Sequence, residues 1–179
     1  HLTSSATENF AKLTNSEAIF LRVPGVVKSK EMRDLLTKSY SQTHKALAEF
    51  SNLDVAMVGI GSAEAKAYSV KDFNFFSDQQ FQLARSKGAV AEINLRFIDA
   101  DGKPVKTPLN DLVIGINLEQ LQKVPTRVGI AGGKSKYAAI RAGLVGGHIN
   151  SLVTDLATAK WLVKKQWQER RSVAEDDQS

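Results

Sequence analysis

Residues 127–140, RVGIAGGKSKYAAI, pass from an apolar stretch through two glycines and a Lys-Ser-Lys into a helical pattern. A short strand, a tight turn and a helix form the repeating unit of α/β folds. In such folds ligands bind beyond the carboxyl ends of the strands. Gly132 and Gly133 let the backbone approach a ligand closely. A helix starting near Ser135 would aim free N–H groups and a positive dipole end at the same place, with Lys134 and Lys136 adding charge. The same residues also suit a plain strand-to-helix turn with two solvated lysines, and the turn alone does not choose between these readings. It is not a nucleotide P-loop. That motif requires a glycine five residues before Gly133, where Val128 stands, and Gly129 comes one position too late.

Outward from this turn the chain continues to alternate strand and helix. LDVAMVGIGS (53–62) is a near-continuous apolar run stopped by glycine, the pattern of a strand buried on both faces of a parallel sheet. Strands are also expected in EAIFLRVPGVV (17–27), NDLVIGI (110–116), TRVGIA (126–131) and INSLVTD (149–155). Helices are expected in 2–15, with Phe10 and Leu13 on one side, in 28–39, 40–52, 77–88, 117–125 and 134–147, and from Leu156 to the acidic end AEDDQS, which is expected to lack structure. Ser29, Ser77 and Asn117 are the expected helix caps, and Gly88 and Pro125 the expected stops. AVAEINLRFIDADGKPV (89–105) alternates instead, placing Val90, Glu92, Asn94 and Arg96 on one side of a strand that turns at DADG. The expectation is an α/β fold with a mainly parallel sheet flanked by helices.

Composition bounds the function. A chain of 179 residues with 42% hydrophobic and 24% charged residues suits one ordinary globular domain. The net charge of +5 and a pI near 9.4 favour an anionic ligand or nucleic acid, although the charges are spread along the chain. Absence of cysteine excludes a disulfide framework and a thiolate nucleophile and favours a cytoplasmic setting. No apolar run approaches ~18 residues, so no membrane span is expected. The start at His1, not methionine, reads as a fragment of a longer chain.

Gly59 and Gly61 flank Ile60 at a strand end and suit a ligand rim, yet a lone Gly-x-Gly more often marks a turn. Glu92 makes chemical sense as an acceptor for sugar hydroxyls, or as one half of an Arg–Glu pair on a strand surface. His1, His44 and His148 pair with no carboxylate or serine at a recognisable spacing, and no metal-ligand cluster appears. Trp161 and Trp167 read as core or oligomer contacts.

Taken together, LDVAMVGIGS, KGAVAEINLRFIDADGKPV, the long run from PTRVGIAGGKSK to LVTDLATAKWLV, and FLRVPGVVKSKEMRDLL resemble the effector-binding domain of SorC-type bacterial transcriptional regulators over residues 1–165. The combination of an AGG-x-x-K turn, a GAV strand with D-x-x-G and an IN-x-LVTD strand carries the resemblance. It implies a fold similar to ribose-5-phosphate isomerase and glucosamine-6-phosphate deaminase, a phosphorylated-sugar effector, no cofactor and no catalysis. It further implies an upstream helix-turn-helix domain that binds operator DNA, a homo-oligomer, usually a tetramer, and a missing N-terminal part of the effector domain itself. Carried over by motif, Lys136 is the ligand-contacting lysine and Glu92 the acidic residue that holds sugar hydroxyls. Ser69 falls where relatives carry Ser or Thr near the ligand, Gly59, Gly61 and Ser62 match the glycine loop, and Gly132 and Gly133 the turn. Two departures stand out: GAVGDI is GAVAEI here, and SVKDFNFF (69–76) replaces an RSG pattern, leaving Lys71 as the candidate substitute for a phosphate-contacting arginine. The competing reading is a sugar-phosphate isomerase or deaminase of the same fold, with Glu92 as its base. A third, direct DNA binding by KKQWQERR (164–171), competes poorly with a solvated helix face.

Overall fold

The structure, a computed structural model, describes residues 2–64 and 75–176. Its helices are α1 (Leu2–Thr14), α2 (Lys30–Ser39), α3 (Ser41–Ala48), α4 (Asp78–Ser86), α5 (Leu118–Lys123), α6 (Tyr137–Val145) and α7 (Leu156–Asp176). Its strands are β1 (Val55–Gly59), β2 (Gly61–Ser62), β3 (Ala91–Ile93), β4 (Arg96–Ile98), β5 (Thr126–Ile130) and β6 (Ser151–Val153). Short 3-10 turns occupy Glu49–Asn52, Pro108–Leu112 and Lys134–Lys136.

The α/β expectation holds. β1, β5 and β6 form a parallel sheet in the order β1-β5-β6, and β2, β3 and β4 form an antiparallel one. Local chemistry sets the helix limits. Ser29 caps α2 by accepting from the Met32 N–H. Ser77 with Gln80, and Asn117 with Gln120, close reciprocal capping boxes on α4 and α5. Gly88 ends α4 in the left-handed region, at φ +93°.

Two apolar clusters hold the layers together. In one, Ala56, Val58 and Ile60 meet Ile93 and Ile98 of the hairpin, Leu118 and Leu121 of α5, Ile140 of α6 and Ile149. In the other, Phe76 stacks on Phe97 at 5.3 Å and Phe81 meets Phe97 edge-on at 5.5 Å, over Val105, Leu109 and Val113. Adjacent residues Phe97 and Ile98 thus pin the β3–β4 hairpin into both clusters.

Several expectations need correction. Residues 17–23 form no strand; only Val26 bridges, antiparallel, to Val113. The 110–116 stretch begins as a 3-10 turn because Pro108 favours that start, and becomes extended only at Val113. α1 forms, but Ala11 is its buried residue while Phe10 and Leu13 are exposed. α7 runs on through Asp176, past the end assigned from sequence. β1 is buried on one face only. Ala56 and Val58 point into the core, while Val55 (50% exposed), Met57 (63%), Ile130 (50%) and Val153 (58%) share the opposite, open face of the parallel sheet. An apolar run predicts buried faces only when a second layer is present to bury them, and none lies there among the described residues.

His148 is the largest buried polar side chain among the described residues. It is fully buried, its Nε2 stands 2.7 Å from the Gly102 carbonyl oxygen, and its Nδ1 has no partner among the described residues. It locks the DADG turn to the end of α6, where Gly102 and Gly146 touch so closely that neither tolerates a Cβ. His148→Ala leaves a cavity and an unpaired buried carbonyl, costing about 2–4 kcal/mol. Urea denaturation checks this, and an unchanged midpoint would contradict it.

Candidate functional site

β1, β5 and β6 run parallel, so their carboxyl ends share one edge. From that edge leave residues 60–64, residues 131–136 and residues 154–155, and the Lys134–Lys136 turn packs against β2. Gly59, Gly61, Ser62, Gly132, Gly133 and Lys136 are thereby brought to one rim. Ser62 Oγ accepts from the Glu64 N–H at 3.2 Å, and Gly59 faces open space. Ser69 and Lys71 lie outside the described residues.

Glu92 reaches this rim from β3. It is paired with Gly61 across the antiparallel sheet, and a side chain at Gly61 would collide with its Oε1. Its Oε2 accepts the Leu95 N–H at 2.8 Å. That bond sits in a turn the alternation pattern conceals. Asn94 (φ +51°) and Leu95 (φ +64°) both lie in the left-handed region and reverse the chain between β3 and β4, so 90–98 is a hairpin and not one strand. A leucine there is strained, and the Glu92 carboxylate helps to hold it. Arg96 turns away from Glu92 and spends its guanidinium on the carbonyls of Asn110, Val113 and Gly115. The surface Arg–Glu pair is therefore absent, and Oε1 of Glu92 has no donor among the described residues.

Burial raises the Glu92 carboxyl above the ordinary range, while the Leu95 N–H and the charge of Lys136 pull it back. Lys136 is thus near enough to act on Glu92, although the two do not close an ion pair. A half-buried carboxylate with spare acceptor capacity beside a cation is suited to sugar hydroxyls on one side and an anionic group on the other. No group of three or more His, Asp or Glu that would hold a metal occurs among the described residues.

The glycine turn differs from its expected form. Gly133 adopts φ +96°, open to glycine alone, but its N–H is not free: it donates to Asp155 Oδ2 at 2.7 Å and to Thr158 Oγ1 at 3.0 Å. A Cβ on Gly132 would also strike Asp155 Oδ2. Asp155 accepts the Thr158 N–H at 2.8 Å and its hydroxyl at 2.7 Å, and these bonds, with that to Gly133, hold its carboxyl below the usual range. The turn therefore already holds an anion belonging to the chain. Asp155 and Thr158 were missed as site residues, although an Asp just before a helical pattern is a favoured cap.

The Sugar-bind family, a sugar-binding domain, matches residues 3–164. The chain belongs to this family. The sugar-binding domain is 37% identical over 137 residues to the transcriptional regulator LsrR of Klebsiella pneumoniae, a match covering 75% of this chain and 42% of LsrR. Its fold is similar to a DeoR family transcriptional regulator from Listeria monocytogenes, with TM-score 0.78 and 31% identity over 87% of this chain and 62% of that one. It is also similar to the full-length sorbitol operon regulator SorC from Klebsiella pneumoniae, with TM-score 0.77 and 26% identity over 85% of this chain and 49% of that one. The chain spans less than half the length of the curated regulators it matches.

The raised Glu92 carboxyl has a definite pH signature. A carboxyl that holds its proton more tightly when folded stabilises the fold below the ordinary Glu range, and that contribution is lost as pH rises through the raised folded value. Glu92→Gln keeps an acceptor for the Leu95 N–H and removes the loss. Stability measured against pH should therefore decline less steeply in the variant over that window; identical slopes would contradict the assigned burial.

Proposed function

We propose that this domain is the effector-binding part of a bacterial DNA-binding transcriptional regulator and that its effector is a phosphorylated sugar. The observation that carries the reading is the approach, at the carboxyl edge of a parallel sheet, of the turn that bears Lys136 to the strand pair that bears Glu92, close enough for the lysine charge to act on the carboxyl without an ion pair. Glu92 accepts from sugar hydroxyls, and Lys136 meets the phosphate. Family membership and the regulators among its relatives support this reading. Operator DNA is bound by a domain outside this chain, the regulator is a homo-oligomer, a tetramer when complete, and it works in the cytoplasm. Among the described residues no helix is long and apolar enough to cross a membrane.

The domain senses its ligand and does not turn it over. Proton transfer at a sugar carbon needs a positioned acid and base, and His148, the buried imidazole, is committed to the Gly102 carbonyl. The open apolar face of Val55, Met57, Ile130 and Val153 is covered in the complete regulator by further effector-domain sequence, a layer that parallel sheets require.

A thermal-shift screen with phosphosugars, each beside its unphosphorylated parent, tests the reading. A ligand at 100 times its Kd adds about 2.7 kcal/mol. One phosphosugar should stabilise the domain well beyond its parent, and Lys136→Ala should weaken it about 10–100-fold, the worth of a charge-assisted contact. Equal binding of parent and phosphosugar would overturn the assignment of Lys136, and turnover lost in Glu92→Gln would favour an isomerase or deaminase.

A further inference from the structure

We propose that Asp155 is a positioning residue of the sugar site: it holds the glycine turn so that Lys136 stands beside Glu92. The inference rests on the sugar-site reading above and names a residue that the reading did not contain.

Capping a helix needs one oxygen, and Asp155 Oδ1 supplies it to the Thr158 N–H at the start of α7. The second oxygen does something a cap does not require. Oδ2 leaves the helix and accepts the Gly133 N–H across 22 residues of sequence. The turn is shaped around that oxygen. Gly132 has no room for a side chain because Oδ2 fills the space, and the φ of +96° at Gly133 aims its N–H at the carboxylate. Thr158 backs the arrangement from a fully buried position, donating its hydroxyl to Oδ2 while accepting from Gly133. On the other side of the same residue, the Gly133 carbonyl accepts the Lys136 N–H at 2.9 Å. One glycine therefore links the Asp155 carboxylate to the backbone of the residue that carries the cation. The turn packs against β2, whose Gly61 is paired with Glu92, so the register of Lys136 relative to Glu92 is fixed through Asp155.

The alternative role is capping alone, and the two separate experimentally. Asp155→Ser retains a preferred cap residue for α7 but is too short to reach Gly133. Asp155→Asn is the second variant; with its oxygen kept on the cap it turns an NH2 group, which donates and cannot accept, toward the Gly133 N–H. The first readout needs no ligand: the Glu92 carboxyl titration followed by 13C NMR in wild type, Lys136→Ala and both Asp155 variants. Releasing Lys136 moves Glu92 upward, as Lys136→Ala does, because Lys136 favours the charged form. The direct effect of deleting a nearby negative charge is downward, so the sign discriminates. The second readout is the ratio of phosphosugar to parent affinity, expected to fall about tenfold in the Asp155 variants, the loss of one charge-assisted contact, with the melting temperature within a few degrees of wild type. A Glu92 titration unmoved or lowered in both variants, or a tighter phosphosugar complex, overturns the proposal. If Lys136→Ala leaves phosphosugar preference unchanged, the sugar-site reading falls, and the ligand-free titration still decides whether Asp155 holds Lys136.

Discussion

Eight residues, 55–62, belong to both sheets, and the rest of the structure depends on how they change allegiance. Through Gly59 they form β1 of the parallel sheet; from Gly61 they pair with β3 of the antiparallel one. The pivot is Ile60, only 1% exposed and in the same cluster as Ile93, Ile140 and Ile149. Burying one large side chain at the switch anchors both sheets at the point where the strand direction opens the ligand edge. Gly61 follows at once, and its missing side chain is the space the Glu92 carboxylate occupies. A structural joint and the candidate binding rim are thus the same short segment.

Much of this was legible in the sequence. The caps at Ser29, Ser77 and Asn117 follow from side-chain chemistry within three residues, which sequence displays directly. The three parallel strands follow from short apolar runs that end in glycine or polar residues. The hairpin at Asn94 was not legible, because EINLRF alternates like an uninterrupted strand and a leucine in the left-handed region has no local signal. Its support comes from Glu92 accepting the Leu95 N–H, a contact that exists only once the turn is made. The face of β1 was misjudged for a related reason: Val55 and Met57 have the composition of buried residues, and composition does not reveal whether the covering layer is present.

The candidate site was legible as a set of residues but not as a circuit. Glu92, Gly61, Gly132, Gly133 and Lys136 all reach one rim. The two glycines were expected to let a ligand approach the turn, and at Gly133 the N–H is instead engaged by a carboxylate from 22 residues away. Long-range polar contacts of this kind leave no periodicity, and the Asp-x-x-Thr pattern at 155–158 announces only a helix start. The consequence is chemical. The Gly133 N–H is already engaged by a carboxylate, so in the proposed reading a phosphate at this turn would be met by the lysine side chain and not by that amide.

The proposed site would hold a sugar phosphate between Gly61, Glu92 and Lys136. Backbone amide chemical shifts, followed while the domain is titrated with the phosphosugar that stabilises it best, test this most directly. The account predicts that the perturbed amides cluster at 59–62, 92–95 and 132–136. Perturbations centred on the separate cavity bounded by Phe20, Arg22, Tyr40 and Thr43, with the Glu92 and Lys136 segments silent, would contradict it.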